Sequence, residues 1–600
     1  MRLSRETCLN FARLTPVFLG WLLAGVLLPL TGRAAELVKL EVTPVAPTVW
    51  TQHGGVWFAD FSQDAYGNLE LDFPTNPPVA QLAVRLGEKL AANGTIDRNP
   101  GGSVNYRELT LTLRPEERHY QLAIPSKTGQ YGGGAIRMPA EIGEVMPFRY
   151  AEIEGLSGAA PTVHQLFVHA PFNDQAATFE SSDATLNAVW GLCRQTMKAT
   201  TAFGVYIDGD RERMPYEADA YINQLSHYAY DLDSRVTRYT VAYLLQHPTW
   251  PTEWSFHMPM MAAADYLATG DPVVARENYA ALKKKLLLDK SRADGLIRAG
   301  AIVDWPEGER DGYNDGKKFP GDRQLGPEYN TVVNAFQYYS LRQMALLAKA
   351  LGNDSDADQF SARADLVYKS FNRVFFDKQL GLYIDGEGSK HASLHANFFA
   401  LAFGLVPEGK VSKVADFVQS KGMACSVYGA QYLLTALFES GRDKAAVDLL
   451  CARSKRSWWH MLELGSTLTL EAWDPEYKRN LTWNHAWGAA PANLISRFVL
   501  GVTPLEPGYA KIQIAPQPGN LKWVQGKVPT AIGPVEVRVE NAGSFKLAVD
   551  LPANAVARVI LPRRDKGVVT MDGEAIHANK AGQTLVVELS GAGHYALESK

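Results

Sequence analysis

The chain is predicted to be multidomain, with a central all-α toroid between an amino-terminal and a carboxy-terminal β-sandwich. Three observations predict it. Residues 36–170 carry short alternating apolar runs broken by turn signals, residues 184–500 carry apolar residues at helical spacing, and after Gly501 the alternation returns. Six hundred residues exceed what one core can organise.

In the first region Leu109-Thr-Leu-Thr-Leu113 ends at Arg-Pro and Tyr120-Gln-Leu-Ala-Ile124 ends at Pro-Ser, as expected for strands of a sandwich spanning 36–175. Gly132-Gly-Gly134 lacks the strand-to-helix setting of a phosphate loop and reads as a turn. The second region, 176–500, predicts helices near 184–201, 217–245, 254–268, 273–287, 329–350, 355–374, 391–404, 408–420, 427–439, 441–451, 464–471 and 486–500. About a dozen helices without a fixed repeat fit paired helices in a closed ring better than a solenoid. The third region, 501–600, supplies the strands Ala510-Lys-Ile-Gln-Ile-Ala515, Val535-Glu-Val-Arg-Val539, Phe545-Lys-Leu-Ala-Val549, Ala557-Arg-Val-Ile-Leu561 and Leu585-Val-Val-Glu-Leu589.

Arg2 and Arg5 precede an apolar run over 17–30 that ends in Thr31-Gly-Arg33-Ala-Ala35. This layout predicts a secretory signal over 1–35, an exported, periplasmic or secreted protein, and no membrane association after removal of the signal. Cys193, Cys425 and Cys451 then remain, too few for a disulfide framework. Lysine plus arginine (60) nearly balances aspartate plus glutamate (64), which leaves no footprint for nucleic acid. The 13 tryptophans and 25 tyrosines offer flat faces on which sugar rings pack.

The segment Tyr206-Ile-Asp208-Gly-Asp210-Arg211-Glu212-Arg213-Met-Pro-Tyr216-Glu217-Ala-Asp219 brings five carboxylates and two arginines together ahead of a helix. Crowded carboxylates cannot all ionise freely, so one of them can keep a proton and act as a general acid. Downstream, Glu471-Ala-Trp473-Asp474 is followed by Trp483-Asn484-His485. Glycoside hydrolysis needs one carboxylic acid to protonate the leaving oxygen and one carboxylate as base or nucleophile, and Glu212 and Glu471 are the candidates. Arg211 and Arg213 would depress the Glu212 pKa if they face it, and Asp210, Glu217 or Asp219 would oppose them. Asp304-Trp305 and Trp254 pair acids with aromatics on loops, a pattern suited to sugar hydroxyls and faces, and Trp473 brackets Glu471. His391 and His395 stand at i, i+4 without an acid placed as third ligand, so helix packing is preferred over zinc, and no metal or cofactor is expected.

These segments, with Pro507-Gly-Tyr-Ala-Lys-Ile-Gln-Ile-Ala-Pro516 and Phe148-Arg-Tyr-Ala-Glu-Ile-Glu154, resemble the α-L-rhamnosidases of glycoside hydrolase family 78 over most of the chain. The resemblance implies an (α/α)6 barrel flanked by β-sandwiches and hydrolysis of terminal α-L-rhamnosides with inversion. It matches Glu212 to the family's general acid and Glu471 to its general base. It places Tyr216, where the family often has tryptophan, with Asp219, Asp304, Trp305 and His485 on the sugar. The family pattern has an aspartate six residues before the acid and an arginine two before it. Here those places hold Tyr206 and Asp210, and Asp208 and Arg211 are expected to substitute through a shift of the loop. The partner implied is a rhamnose-containing carbohydrate. Two other readings fit an α/α toroid: a polysaccharide lyase, which would use a tyrosine or histidine base, and a non-catalytic carbohydrate-binding protein.

Overall fold

The computed structural model describes residues 36–127, 134–320, 324–564 and 567–600. The expected signal segment, and Gly132 and Gly133 of the glycine run, lie outside the described residues. Among the described residues no helix is long and apolar enough to cross a membrane.

The amino-terminal domain is one eight-stranded sheet folded over its own core. The fold turns on the long strand Val56–Asp72. Its first part pairs with Val49–His53 and Met146–Glu154, and its last part with Thr162–His169 and His119–Gln121. An irregularity between Asp60 and Ala65 lets it change partners and direction. Ala59, Leu69, Leu71, Leu82, Val84, Phe148 and Ile153 fill the space enclosed.

Thirteen α-helices follow among the described residues: α1 Ala184–Ala199, α2 Glu217–Tyr230, α3 Arg235–Gln246, α4 His257–Thr269, α5 Val273–Lys284, α6 Thr331–Ala350, α7 Asp354–Val374, α8 Leu394–Ala402, α9 Glu408–Lys421, α10 Val427–Glu439, α11 Asp443–Leu450, α12 Trp458–Glu463 and α13 Pro491–Leu494. Helices α2, α4, α6, α8, α10 and α13 pack in sequence as an inner ring, and α13 closes it against α2. Helices α3, α5, α7, α9, α11 and α1 lie outside them. The residues explain the division. Every residue of α10 from Val427 to Phe438 is buried, whereas α5, α7 and α9 bury one stripe each, as a helix with one covered face must. This is an (α/α)6 barrel.

The predicted helix over 217–245 is two helices, because Asp231-Leu-Asp-Ser234 ends α2 and starts α3. The predicted helix over 464–471 is absent. That segment runs without helical structure and α12 lies ahead of it. The predicted helix over 486–500 is broken into a 3-10 turn, α13 and a π-turn.

The last hundred residues form a five-stranded and a seven-stranded sheet. The edge of the larger sheet is Thr178–Ser181, a strand that precedes α1 and pairs antiparallel with Trp523–Val528. The barrel and this sandwich share one continuous apolar core. The three cysteines are free, with Cys193 and Cys425 buried.

Candidate active site

The loop between α1 and α2 carries the first acidic cluster and is pinched at its base. The Asp208 N–H donates to the Met214 carbonyl (2.9 Å), and the Met214 N–H donates to Asp208 Oδ1 (3.0 Å). Its tip, residues 209–213, closes on the Arg213 N–H donating to the Gly209 carbonyl (2.9 Å). Arg213 is buried beneath the tip, donating to Asp210 Oδ1 (2.8 Å), to the Val145 carbonyl (2.6 Å) and to Glu144. Asp210 is gripped by Arg213 and Lys127, and neither Asp210 nor Arg213 lines the cavity that Glu212 enters. Glu217 accepts from Thr249 instead of entering the cavity.

The second segment, 466–485, doubles back on itself. The Glu471 N–H donates to the Thr482 carbonyl (3.1 Å), and the Thr482 N–H donates to Glu471 Oε2 (3.2 Å). Gly209 is needed where the two segments meet. A Cβ there would stand 3.0 Å from Thr482 Oγ1 and 3.2 Å from His485 Nδ1, tighter than an ordinary contact.

The segments line a cavity of ≈ 400 Å³ at the amino-terminal ends of the inner helices. Of the residues named from sequence, Asp208, Arg211, Glu212, Tyr216, Asp219, Trp254, Trp305, Glu471 and His485 line it. Asp304 and Trp473 do not. Asp304 is fully buried, accepting from the Trp305 N–H (2.8 Å), the Ser426 N–H (3.0 Å) and hydroxyl, and paired with His395 Nε2 (2.7 Å). Its approach to α10 requires Gly429, where a Cβ would stand 2.6 Å from Oδ2. Trp473 is buried edge-on against Trp458 and donates its indole N–H to the Cys425 carbonyl (2.8 Å). Both shape the walls from behind. His391 pairs with Asp385 (2.7 Å), apart from His395.

Sequence reasoning passed over Met214, Trp250, Ile302, Trp487 and Lys478. The first four line the cavity, and Lys478 Nζ stands 3.2 Å from Glu471 Oε1. Trp487 had a signal, two residues beyond His485, and its ring packs 4.4 Å from the imidazole. Trp250 sits in the turn Pro248-Thr-Trp-Pro251, which also marks a loop aromatic.

Arg211 joins the two carboxylates. It donates from Nη1 to Glu471 Oε2 (2.6 Å) and from Nη2 to Glu471 Oε1 (3.0 Å), and from Nη2 to Glu212 Oε1 (3.2 Å). The Tyr216 hydroxyl donates to Glu212 Oε2 (2.6 Å). Burial opposes ionisation of Glu471, but His485, Arg211 and Lys478 outweigh it and hold the carboxyl at about 2. Burial pulls the His485 imidazole down to about 3, so at neutral pH the standing cations beside Glu471 are Arg211 and Lys478. Asp208 and Asp219 go the other way. Burial pushes both well above the usual carboxylate range, helped at Asp208 by the Glu212 charge and at Asp219 by Asp208. His485 Nε2 meets Asp219 Oδ1 at 2.9 Å and its Nδ1 meets Thr482 Oγ1 at 3.1 Å, which fixes the ring. The cavity therefore presents a carboxylate held in its anionic form, carboxyls that burial biases towards their protonated form, and walls of tryptophan and tyrosine.

Known proteins carry the same arrangement of domains. In structure the chain is similar to an α-L-rhamnosidase from Dictyoglumus thermophilum, at TM-score 0.77 and 20% identity, covering 94% of this chain and 64% of that one. It is also similar to the Streptomyces avermitilis α-L-rhamnosidase complexed with L-rhamnose, at TM-score 0.74 and 20% identity, covering 94% and 54%. In sequence it is 28% identical over 323 residues to an α-L-rhamnosidase of Alteromonas sp. (strain LOR), covering 50% of this chain and 33% of that protein. It is 24% identical over 539 residues to one of Formosa agariphila, covering 82% and 54%. The chain thus spans between a third and about half the length of these relatives. The carboxy-terminal domain model of the bacterial α-L-rhamnosidases matches residues 501–575. Their six-hairpin glycosidase domain model matches residues 174–499, more than half of the chain, and the protein belongs to this bacterial α-L-rhamnosidase six-hairpin glycosidase family.

Proposed function

We propose that the protein is an exo-acting, inverting glycoside hydrolase that releases terminal α-L-rhamnose from oligosaccharides, polysaccharides or glycosides, with Glu212 as general acid and Glu471 as general base. The observation that carries the reading is the meeting of these two glutamates, from distant parts of the chain, across one aromatic-walled cavity. The names of the relatives support the sugar. Glu212 protonates the departing oxygen, Glu471 activates a water, and Trp254, Trp305, Trp487 and Tyr216 pack on the ring while Asp208, Asp219 and His485 meet its hydroxyls. We further propose that the chain is exported, on the strength of its amino-terminal apolar run.

Glu471 does not act as a base while it is clamped. A carboxylate has about four lone-pair directions. Arg211 takes two of them, Lys478 approaches a third and the Thr482 N–H a fourth. Arg211 Nη2 also touches both Oε1 atoms, which holds the nearest oxygens of the pair closer together than the ~6.5–9.5 Å spacing of inverting enzymes. Entry of the sugar is therefore coupled to withdrawal of Arg211 from Glu471, which frees the base and makes room for the water.

A chromogenic α-L-rhamnoside, offered beside other glycosides with the first-formed anomer followed by NMR, tests the reading. Inversion is expected, and Glu212→Gln and Glu471→Gln should each lower kcat by about 1,000-fold with binding of rhamnose retained. Retention of configuration would make Glu471 the nucleophile. An unsaturated product absorbing in the near ultraviolet would replace hydrolysis by elimination.

A further inference from the structure

A buried asparagine joins the amino-terminal domain to both segments of the catalytic centre. Asn484 lies in the base segment, immediately before His485, with no exposed surface. Its Oδ1 accepts from the Asp210 backbone N–H (2.7 Å) and from the Tyr66 hydroxyl (2.9 Å). Its Nδ2 donates to Glu88 Oε1 (2.7 Å). Tyr66 belongs to the long strand Val56–Asp72, and Glu88 directly follows the strand Ala80–Gly87 of the same sheet.

An amide with its oxygen and its nitrogen both engaged has one orientation, because a flip would set donor against donor and acceptor against acceptor. Glu88 enforces that orientation as an acceptor. Its other oxygen takes the Asn105 N–H and side-chain amide (2.9 Å from Nδ2). Burial, with Glu88 beside it, pushes the Asp64 carboxyl well up, and burial raises Glu88 too, but three N–H donors converge on Glu88 and favour its accepting, anionic form. The bond from Asp210 fixes the backbone two residues before Glu212 to the segment that bears Glu471. It adds a backbone anchor at the tip of a loop whose Gly209 already stands against Thr482 and His485.

We propose that Asn484, oriented by Glu88, is a positioning residue that keeps the acid loop in register with the base segment, so that the amino-terminal domain completes the catalytic centre. The inference rests on the assignment of Glu212 and Glu471 above. Its test uses the full chain with Asn484→Ala and Glu88→Gln, and Ile153→Ala, a core truncation in the amino-terminal sheet, as the control for lost stability. Amide hydrogen exchange over residues 208–214 is read beside kcat and KM on a chromogenic α-L-rhamnoside. Asn484→Ala should open the Asp210 amide to exchange and lower kcat by about 100-fold with KM within about 3-fold. Glu88→Gln should shift both in the same direction, and Ile153→Ala should lower the thermal midpoint and shift neither. Unchanged exchange at 208–214 in a folded Asn484→Ala protein overturns the proposal, as does an equal loss of kcat in Ile153→Ala. A wild-type chain inactive on every rhamnoside would remove the hydrolase assignment, and the exchange measurement would still decide the role of Asn484.

Discussion

Arg211 governs the charge of the site. Glu471 can take a proton from water only while ionised, so activity falls as pH drops through its pKa, which His485, Arg211 and Lys478 together hold at about 2 against the cost of burial. Arg211→Gln removes two charge-assisted hydrogen bonds from Glu471 and raises that pKa, so the acidic limb of kcat/KM against pH should move to higher pH. A limb that stays in place would show that Glu471 is not the group titrating there. The same pair affects stability with a definite sign. The folded pKa lies below the ordinary 4.5, so the stabilisation is complete above that value and is lost as pH falls towards about 2. That Glu212 and Glu471 would line a site was legible in the sequence because Glu212 stands between two arginines in an acidic cluster and Glu471 lies near Trp473 and ahead of His485. Asp304 and Trp473 carried the same signal and are buried. An acid beside a tryptophan looks alike whether it faces a sugar or a neighbouring helix, and only the packing of α10 and of Trp458 decides.

At the scale of elements, Asp304 ties the Trp305 loop to the start of α10. Its carboxylate accepts from Ser426, the N-cap residue of α10, and from the Trp305 N–H, and it meets His395 of α8. Asp304→Ala would strand these buried donors, at a cost of about 3 kcal/mol, and would release Trp305 from the cavity wall. The expected result is a lower thermal midpoint together with a rise in KM larger than the fall in kcat. A KM unchanged in the folded variant would mean that Trp305 holds its place without this carboxylate. Long helices with a polar outer face, such as α7, were legible from periodicity, and the break after α2 is marked by Asp231, Asp233 and Ser234. The misreading of 464–471 has a physical cause. Leu464 and Leu468 fit helical spacing, but the segment pairs with 482 through backbone bonds and buries Leu468 and Leu470 without a helix. Tertiary pairing overrode local preference there.

At the scale of the molecule, the order β, α/α, β was legible from texture alone, but the interlocking of the domains was not. A four-residue strand ahead of α1 gives no sign in the sequence that its partner lies at Trp523–Val528. That pairing and a shared apolar core join the barrel to the carboxy-terminal sandwich. Their apolar core runs without a break from Leu186 to Leu597, and Leu500 packs close to Gly526 of the partner strand. A chain ended at residue 500 would leave Thr178–Ser181 as an unpaired edge and expose the apolar residues that the sandwich covers, conditions that favour association over folding. Residues 36–500 expressed alone should therefore aggregate, whereas residues 36–600 should elute as a defined species in size-exclusion chromatography. A soluble 36–500 fragment with a cooperative thermal transition and the same turnover of a chromogenic α-L-rhamnoside as residues 36–600 would show that the barrel stands without the sandwich, and that the shared core is a contact between independent domains.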